Sequence, residues 1–306
     1  MRVALLQGGR SLERSVSLKS GARVAEALGR LGHEVDALDL GPDLVSRLES
    51  NRPDVAFIAL HGTEGEDGTI QALLELLGIP HTGSGEAACQ RCMDKSLAKH
   101  ILRDDHGLPT PNWVTYSEAA IRDFGAASSF QRAIDSVGLP LVAKPTSGGS
   151  SLGVKVVTSA ADVPTALITA LSYDSRALLE SWVSGRELAV SILGDRVLPI
   201  VEAIPTDNNA YDFEARYEIG GASFVCPADL GEAETAEVNR VSAAAYEALG
   251  CSGFARVDLI LGDDGPQILE INAIPGLTET SLLPQAAEAA GIEFEDMVAQ
   301  ILELAV

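Results

Sequence analysis

Near its C-terminus the chain reads Phe254-Ala255-Arg256-Val257-Asp258-Leu259-Ile260-Leu261, then Gly262-Asp263-Asp264-Gly265-Pro266, then Gln267-Ile268-Leu269-Glu270-Ile271-Asn272. Apolar and polar residues alternate on both sides of the Gly/Asp turn, which predicts two antiparallel strands. Side chains two positions apart share a face of a strand, so Arg256 and Asp258 point together, as do Glu270 and Asn272. With the turn centred on Asp264, Asp258 lies opposite Glu270 and Arg256 lies opposite Asn272.

This hairpin therefore places two acidic side chains face to face. Like charges directly across a strand pair are destabilising, and a cation between them removes the repulsion. Two carboxylates and an amide oxygen suit a hard cation, typically Mg²⁺ that also carries nucleotide phosphates. A solvated polar face is the alternative that the hairpin alone leaves open.

Length, composition and charge narrow the class of protein. The chain has 306 residues, is 46% hydrophobic and carries a formal net charge of −22. That length allows two or three domains. The negative charge disfavours nucleic acid and anionic membranes as partners, so an anionic substrate needs local cations, backbone N–H groups or a metal ion. No apolar run reaches the length of a membrane span, and no signal peptide is visible, which predicts a cytoplasmic protein.

The four cysteines include one C-x-x-C spacing, Cys89-Gln90-Arg91-Cys92. It lies in an Ala-rich helical stretch, and no second close pair or nearby His pair completes a metal site. We expect reduced thiols that are half-buried on a helix.

Strand and helix signals divide the chain into three units. Residues 1–90 alternate between them, with strands at Val3–Leu6, His33–Leu40 and Val55–Leu60 and helices at Ser15–Leu31 and Ile70–Leu77. This rhythm predicts a parallel sheet with ligands at the carboxyl ends of its strands. Residues 91–182 predict a second unit, entered by a helix at 86–102, with strands at Leu139–Lys144, Val154–Val157 and Ala177–Glu180 and a helix at Ala161–Leu171. Residues 183–306 predict a third unit, with the hairpin and a last helix at Glu293–Leu304.

A phosphate-binding loop is predicted in the second unit. Lys144 ends a buried strand, and the Gly/Ser loop Thr146–Gly153 follows. Glycines let the backbone approach a phosphate, whose oxygens Ser hydroxyls and N–H groups then bind. The loop is neither a Walker A motif nor a dinucleotide fingerprint, and a plain hairpin loop is the alternative. The connection within Leu178–Leu188 can bind a flat base, although an interdomain connector explains it equally well.

Other candidate residues lie in loops. Glu13, at the edge of the parallel sheet, can neutralise a substrate ammonium or act as an acid at a helix N-terminus. His61 can orient Glu13 or a substrate, or be a structural histidine. The N–H of Gly276 is a candidate oxyanion donor, and the Ser281 hydroxyl can hold a carboxylate, with a capped helix start as the alternative.

These motifs, in this order, resemble the D-alanine–D-alanine ligases of the ATP-grasp superfamily. The resemblance covers the whole chain and rests on Gly8-Gly9-x-Ser11-x-Glu13-x-x-Val16-Ser17, His61-Gly62-x-x-Gly65-Glu66-Asp67-Gly68, Thr82-Gly83-Ser84-Gly85, Met93-Asp94-Lys95, Lys144-Pro145 with Gly149-Ser150-Ser151-x-Gly153, Tyr211-Asp212-x-Glu214-Ala215-x-Tyr217, Arg256-x-Asp258 and Glu270-x-Asn272-x-x-Pro275-Gly276-Leu277-Thr278. It implies a three-domain α/β fold, with an N-terminal doubly wound parallel-sheet domain and two α+β lobes that enclose ATP. It also implies a homodimer.

The resemblance further implies an activity and its residues. Two D-alanines would be joined through an acyl phosphate, with release of ADP and phosphate, for peptidoglycan precursor synthesis. The residues that the resemblance implies for ATP binding are Lys95, Lys144, Ser151, Glu180, Trp182, Val183, Glu187 and Arg216. Among them, Glu180 and Glu187 would contact adenine and ribose. Mg²⁺, or Mn²⁺, falls to Asp258, Glu270 and Asn272. The catalytic residues are Glu13, Ser150, Tyr217, Arg256 and Gly276, and the two D-alanines contact Glu13, His61, Ser281 and Leu282.

Two positions depart from the family pattern, namely Arg216 in place of Lys and Ala273 in place of Thr. Arginine keeps the charge but is a planar fork, so contacts to the γ-phosphate can differ. A D-Ala–D-Ser or D-Ala–D-lactate ligase is a close alternative, although Tyr217 disfavours the lactate form. An inactive nucleotide-binding regulator is disfavoured by the intact Lys144 and metal ligands, and a dinucleotide oxidoreductase by the missing glycine fingerprint.

Overall fold

The structure, a computed structural model, describes residues 1–205 and 222–306. Within these residues the strands form three sheets, one in each third of the chain. The first sheet is parallel and the other two are antiparallel, which confirms the predicted α/β class with a parallel N-terminal sheet. None of the described helices is both long and apolar enough to cross a membrane.

The N-terminal unit is a parallel sheet with its helices. It contains β1 (Arg2–Gln7), α1 (Arg14–Arg30), β2 (Glu34–Asp39), α2 (Leu44–Ser50), β3 (Val55–Ile58) and α3 (Thr69–Leu76). The strand order is β2-β1-β3. Every residue of β3 is buried, as expected for a parallel strand covered on both faces. The ends of β1 and β3 lead to Glu13 and His61, which therefore meet at one edge of the sheet.

The predicted helix at 86–102 is wrong as a single element, because it breaks at Asp94. The structure has α4 (Glu86–Met93), α5 (Lys95–His100) and then a π-helical turn at Ile101–Asp105. Asp94 Oδ1 accepts hydrogen bonds from the N–H groups of Ser96 and Leu97, both at 3.0 Å, which starts a new helix. The break makes Lys95 the first residue of α5, and its N–H donates to Thr146 O at 2.8 Å.

The central unit is an antiparallel sheet with its own core. It contains β4 (Trp113–Ser117), α6 (Glu118–Phe124), α7 (Phe130–Val137), β5 (Leu141–Pro145), β6 (Lys155–Val157), α8 (Val163–Leu171) and β7 (Arg176–Ser181). The strand order is β4-β7-β5-β6. Leu141, Leu167 and Leu179 are among the side chains that fill this core. The Gly/Ser loop connects β5 to β6.

The C-terminal unit carries the acidic hairpin. It contains β8 (Arg186–Leu193), β9 (Arg196–Val197), β10 (Val201–Pro205), β11 (Ala222–Val225), α9 (Glu232–Ala248), β12 (Phe254–Gly262), β13 (Gly265–Asn272), α10 (Leu282–Ala289) and α11 (Phe294–Glu303). The strand order is β11-β10-β8-β12-β13, and β9 pairs with β8. Its apolar core is continuous with that of the N-terminal unit, so the first and third units are packed into one body.

The predicted pairing of the hairpin is confirmed, but its turn is not where we expected it. Asp258 lies opposite Glu270 and Arg256 opposite Asn272. Gly262 pairs with Gly265, so the turn is centred between Asp263 and Asp264. A bulge next to Asp258, where Leu259 pairs with Ile268, adds one residue to β13. That extra residue restores the expected register at the two acids.

Candidate active site

A first cavity lies between the central and C-terminal sheets. It spans about 730 Å³, including the open space at its mouth. Ile260 and Leu269 supply apolar lining from the hairpin. The structure brings the following predicted residues to its walls: Lys95, Lys144, Ser151, Glu180, Trp182, Val183, Asp258 and Glu270.

Lysines are concentrated at this cavity. The chain has five of them in all, namely Lys19, Lys95, Lys99, Lys144 and Lys155. Three are buried beside the cavity, with Lys95 8% exposed, Lys99 1% and Lys144 6%. In a chain of net charge −22, this placement brings the ammonium groups of Lys95 and Lys144 to the cavity wall, where they can bind an anionic ligand.

Glu180 lies between two of these lysines. Its Oε1 is 2.7 Å from Lys144 Nζ and its Oε2 is 2.5 Å from Lys99 Nζ. Burial opposes ionisation of Glu180, but the two ammonium groups outweigh it and lower the pKa of the carboxyl. Burial, together with repulsion from Lys144, lowers the pKa of Lys99 to about 8 although Glu180 opposes this shift.

Hydrogen bonds with Asp174 and Lys95 fix the first three residues of the Gly/Ser loop, Thr146 to Gly148. Asp174 Oδ2 accepts hydrogen bonds from Thr146 Oγ1 at 2.7 Å and from Ser147 N–H at 2.9 Å. Lys95 Nζ donates to Gly148 O at 2.6 Å. Ser150 and Ser151 both have φ of 55°, a left-handed conformation that non-glycine residues adopt rarely. This conformation directs Ser150 towards Glu13 of the N-terminal unit.

The acids of the hairpin are each paired with a cation. Arg256 donates to both oxygens of Asp258 at 2.7 Å, and Glu270 Oε2 is 3.2 Å from Lys95 Nζ. Asn272 Oδ1 accepts from Ile274 N–H at 3.0 Å. In the described part of the chain no group of three or more His, Cys, Asp or Glu is arranged to hold a metal. The two carboxylates and the amide oxygen nevertheless form a donor set that fits Mg²⁺ whose remaining ligands are phosphate oxygens.

A second cavity, of about 820 Å³, adjoins the first, and Asp258 lines both. The structure brings together here Glu13, His61, Glu187, Arg256, Asn272, Gly276, Ser281 and Leu282. Glu187 therefore lines this cavity and not the first, which differs from the expected contact with ribose. Because Glu187 lies opposite Ile260 in the sheet, it shares the face that points towards the ligand sites.

Glu13 is half-buried at the junction of the N-terminal and central units. Its Oε1 accepts a hydrogen bond from Ser150 Oγ. Burial, with repulsion from Glu66, raises the pKa of Glu13, although Ser150, His61 and Lys95 oppose this shift. Gly62 has φ of +73°, and a Cβ there would lie 2.7 Å from Glu13 Oε2, so only glycine fits beside this carboxylate.

His61 connects the end of β3 to the loop that follows the hairpin. Its ring is buried, with Nδ1 at 3.5 Å from Glu66 Oε1 and Nε2 at 3.0 Å from Ser20 Oγ. Ser20 Oγ also accepts from Leu277 N–H at 3.2 Å. Beyond that loop, Ser281 Oγ accepts from Thr278 N–H at 3.0 Å. A Cβ on Gly276 would lie 2.7 Å from Ser281 Oγ, so the backbone at Gly276 approaches this hydroxyl closely.

Comparison with known proteins agrees with this geometry. The family models "D-ala D-ala ligase N-terminus" and "D-ala D-ala ligase C-terminus" match residues 42–84 and 102–303. The D-alanine–D-alanine ligase of Moorella thermoacetica is 41% identical over 309 residues, which cover 100% of this chain and 99% of the relative. The chain belongs to the D-alanine–D-alanine ligase family.

Further relatives of the family support this assignment. The D-alanine–D-alanine ligase of Pelotomaculum thermopropionicum is 42% identical and is matched over 100% of this chain and 96% of its own. The Bacillus anthracis enzyme complexed with ATP is similar in structure, with a TM-score of 0.84 at 34% identity, covering 100% of this chain and 97% of that one. The resemblance and the ATP-grasp fold predicted from the motifs are therefore confirmed.

Some predicted features of the family lie elsewhere or outside the described residues. Arg216 and Tyr217 fall in residues 206–221, which the structure does not describe. Ala273, the other departure from the family pattern, is 2% exposed. All four cysteines are free, but Cys89 and Cys92 are buried rather than half-buried, and Cys92 Sγ lies 3.5 Å from Cys251 Sγ.

Sequence reasoning missed three side chains of the site. Glu66 lines the second cavity, and Lys99 and Ser20 contact the lining residues Glu180 and His61 from behind. A signal for Lys99 was present, because it follows Lys95 by four residues and so shares its helix face. Glu66 was recognised only as part of a motif, and its position against Glu13 and His61 depends on the loop after β3. Ser20 lies within α1, where nothing in the local pattern sets it apart from an ordinary helical serine.

Proposed function

We propose that this member of the D-alanine–D-alanine ligase family joins two D-alanines into D-alanyl-D-alanine while ATP is converted to ADP and phosphate. The observation that carries this proposal is the pair of adjoining cavities that share Asp258. One is lined by buried lysines and suits a nucleotide, and the other has Glu13 at one wall and Ser281 at another, which suits an amino acid. Their contact lets a phosphoryl group pass from one ligand to the other.

In the first cavity we assign the phosphates of ATP to Lys95, Lys144 and Ser151. Lysine ammonium groups neutralise phosphate charge, and the loop around Ser151 covers it. We assign adenine to Glu180, Trp182 and Val183, which lie in and after β7. Glu187 remains our candidate for the ribose, because it is opposite Ile260 and Ile260 lines the first cavity.

We assign a divalent cation, Mg²⁺ or Mn²⁺, to Asp258, Glu270 and Asn272. When bound, such an ion would neutralise the charge of the β- and γ-phosphates during transfer. In the structure Arg256 pairs with Asp258 and Lys95 pairs with Glu270.

The first step places a D-alanine between the two cavities. Glu13 accepts hydrogen bonds from its ammonium group, while Ser150 holds Glu13 in place. The family resemblance adds Tyr217, which lies outside the described residues, as a third member of this group. The carboxylate oxygen of this D-alanine attacks the γ-phosphorus, the bond to the β,γ-bridging oxygen breaks, and ADP leaves. The product is an acyl phosphate, so the former carboxylate has acquired a leaving group.

The second step forms the amide bond. Ser281 Oγ and the N–H of Leu282 hold the carboxylate of the second D-alanine, at the N-terminus of α10. Its ammonium group loses one proton to solvent, and the resulting amine attacks the acyl carbon. The attacking nitrogen then loses a second proton to solvent, and phosphate leaves with the C–O bond electrons. Arg256 and the N–H of Gly276 stabilise the oxyanion of the tetrahedral intermediate.

We further propose that the enzyme acts in the cytoplasm as a homodimer and supplies peptidoglycan precursors. Support for the cytoplasm comes from the proposed use of ATP, and support for the other two comes from the family. Light scattering of the purified protein tests the dimer, since a monomer at micromolar concentration contradicts it.

The test of function is phosphate release from ATP in the presence of Mg²⁺ and D-alanine, with the product identified by mass. D-alanyl-D-alanine with D-alanine, and none with L-alanine, is the expected result. Phosphate release without dipeptide directs the proposal to D-serine or D-lactate as the second substrate. Binding of ATP without any phosphate release refutes the ligase and leaves the nucleotide-binding regulator.

A further inference from the structure

Lys99 is a buried charge to which the proposed reaction assigns no role. Its side chain is 1% exposed, although lysine is among the residues least often buried. Its Nζ donates to Thr110 Oγ1 at 2.5 Å and to Pro111 O at 3.2 Å, and it lies 2.5 Å from Glu180 Oε2. Two hydrogen bonds and one ion pair therefore compensate this buried cation.

Among the residues that the structure describes, Glu180 connects Lys99 to the nucleotide cavity. Lys144 and Glu180 line that cavity, and Lys99 does not. The three side chains form one buried cluster, in which a single carboxylate is shared between two ammonium groups. The Thr110 hydroxyl, which accepts from Lys99, donates in turn to Ile268 O of β13 at 2.8 Å. The cluster is therefore also attached to the C-terminal sheet.

Lys144 can pair either with Glu180 or with a phosphate of the bound nucleotide. In the structure Lys144 pairs with Glu180 at 2.7 Å, whereas in the proposed complex it contacts phosphate. With Lys144 as its only counter-ion, Glu180 would be left as a buried unpaired carboxylate whenever Lys144 turned to a phosphate, and that state is strongly unfavourable. With Lys99 present, Glu180 keeps one ion pair and Lys144 is released at much lower cost.

We propose that Lys99 is a positioning residue for nucleotide binding, which satisfies Glu180 so that Lys144 is available to the phosphates of ATP. The inference rests on the proposed function, since it takes a nucleotide as the ligand of the first cavity. It predicts that loss of Lys99 weakens binding of the phosphates and leaves binding of the base and ribose largely intact.

The first test compares ATP with adenosine, which lacks phosphates, by calorimetric titration of the full-length protein and its Lys99→Met variant. Methionine approximates the length and volume of lysine without its charge. We expect ATP affinity to fall roughly 10- to 100-fold, the range for one hydrogen bond to a charged group. Adenosine affinity should change less than about threefold, because Lys144 stays on Glu180 and holds it in place.

A second variant identifies the route of the effect. In Lys99→Met/Glu180→Gln the carboxylate that captures Lys144 is gone, while glutamine keeps an acceptor for adenine. ATP affinity should return to within about threefold of Glu180→Gln alone. Lys19→Met, which removes an exposed lysine from α1, is the matched control for net charge and should bind ATP like the wild type.

Each outcome of these titrations supports or overturns the role proposed for Lys99. Lys99→Met that binds ATP within threefold of the wild type overturns the inference, and so does an equal loss of ATP and adenosine, which is what a structural role alone predicts. Failure of the double variant to recover also overturns it. A wild-type protein that binds no ATP refutes the proposed function itself, and is thereby distinguished from failure of the Lys99 inference.

Discussion

The substitution Glu13→Gln tests whether the carboxylate of Glu13 binds the ammonium group of the first D-alanine. Glutamine keeps the shape and can still accept the hydrogen bond from Ser150 Oγ, so the change removes charge with little else. A hydrogen bond between charged groups contributes about 1.5–3 kcal/mol. Because about 1.4 kcal/mol corresponds to a factor of ten, the KM for the first D-alanine should rise roughly 10- to 150-fold.

The raised pKa of Glu13 adds a dependence on pH. Burial and repulsion from Glu66 favour the protonated carboxyl, and only the ionised form attracts an ammonium. The KM of the wild type should therefore increase as the pH falls through this raised pKa, and Glu13→Gln should lack that increase. Stability has the opposite sign. Because the folded protein holds this proton more tightly than the unfolded chain does, unfolding free energy falls as pH rises between the ordinary and the raised pKa.

Initial rates of ADP release at saturating ATP, measured over a range of D-alanine concentrations and pH values, give both KM values for D-alanine. Thermal unfolding near neutral pH should show that Glu13→Gln melts no lower than the wild type. The control is Glu26→Gln, which removes an exposed carboxylate from the same unit. A KM for the first D-alanine within twofold of the wild type, or an acid limb that persists in Glu13→Gln, refutes the assignment of the ammonium to Glu13.

Three further substitutions separate the roles proposed for the site. Glu66→Gln removes the repulsion that raises the pKa of Glu13, so the acid limb of the KM profile should move to lower pH; an unmoved limb contradicts this coupling. Asp258→Asn should raise the Mg²⁺ concentration for half-maximal rate about tenfold or more, measured by Mg²⁺ titration, whereas Asp263→Asn in the turn of the same hairpin should not. Ser281→Ala leaves the N–H of Thr278 without its acceptor and should raise the KM for the second D-alanine roughly 3- to 10-fold, with the first unchanged; equal effects on both KM values would argue against a separate second site.

The acidic hairpin shows how far local pattern leads. Alternation of apolar and polar residues and a Gly/Asp turn were enough to predict that Asp258 faces Glu270, because both features involve residues close together in the chain. The bulge beside Asp258 was not predicted, although the adjacent apolar residues Ile268 and Leu269 interrupt the alternation at that point. The register at the acids was correct because the displaced turn and the bulge compensate for each other.

The break at Asp94 shows why part of the site could not be predicted from the sequence. The apolar pattern of residues 86–102 continues through Asp94, which predicts one helix. Asp94 instead caps α5 and accepts a hydrogen bond at 2.7 Å from Arg176, 82 residues further along the chain. A partner at that distance leaves no trace in a window of helical length, so the orientation of Lys95 was also hidden.

By itself, the sequence determined the α/β class, the order of the three units, the hairpin with its two acids and the family, because periodicity and motif spacing are set by neighbouring residues. Only the tertiary structure decided which side chains meet. Ser150 reaches Glu13 across 137 residues, Lys144 meets Glu180 across 36, and Lys99 shares that carboxylate from a separate helix. These contacts depend on how sheets and helices pack, and the burial that packing imposes is what raises the pKa of Glu13 and makes a second lysine beside Glu180 necessary.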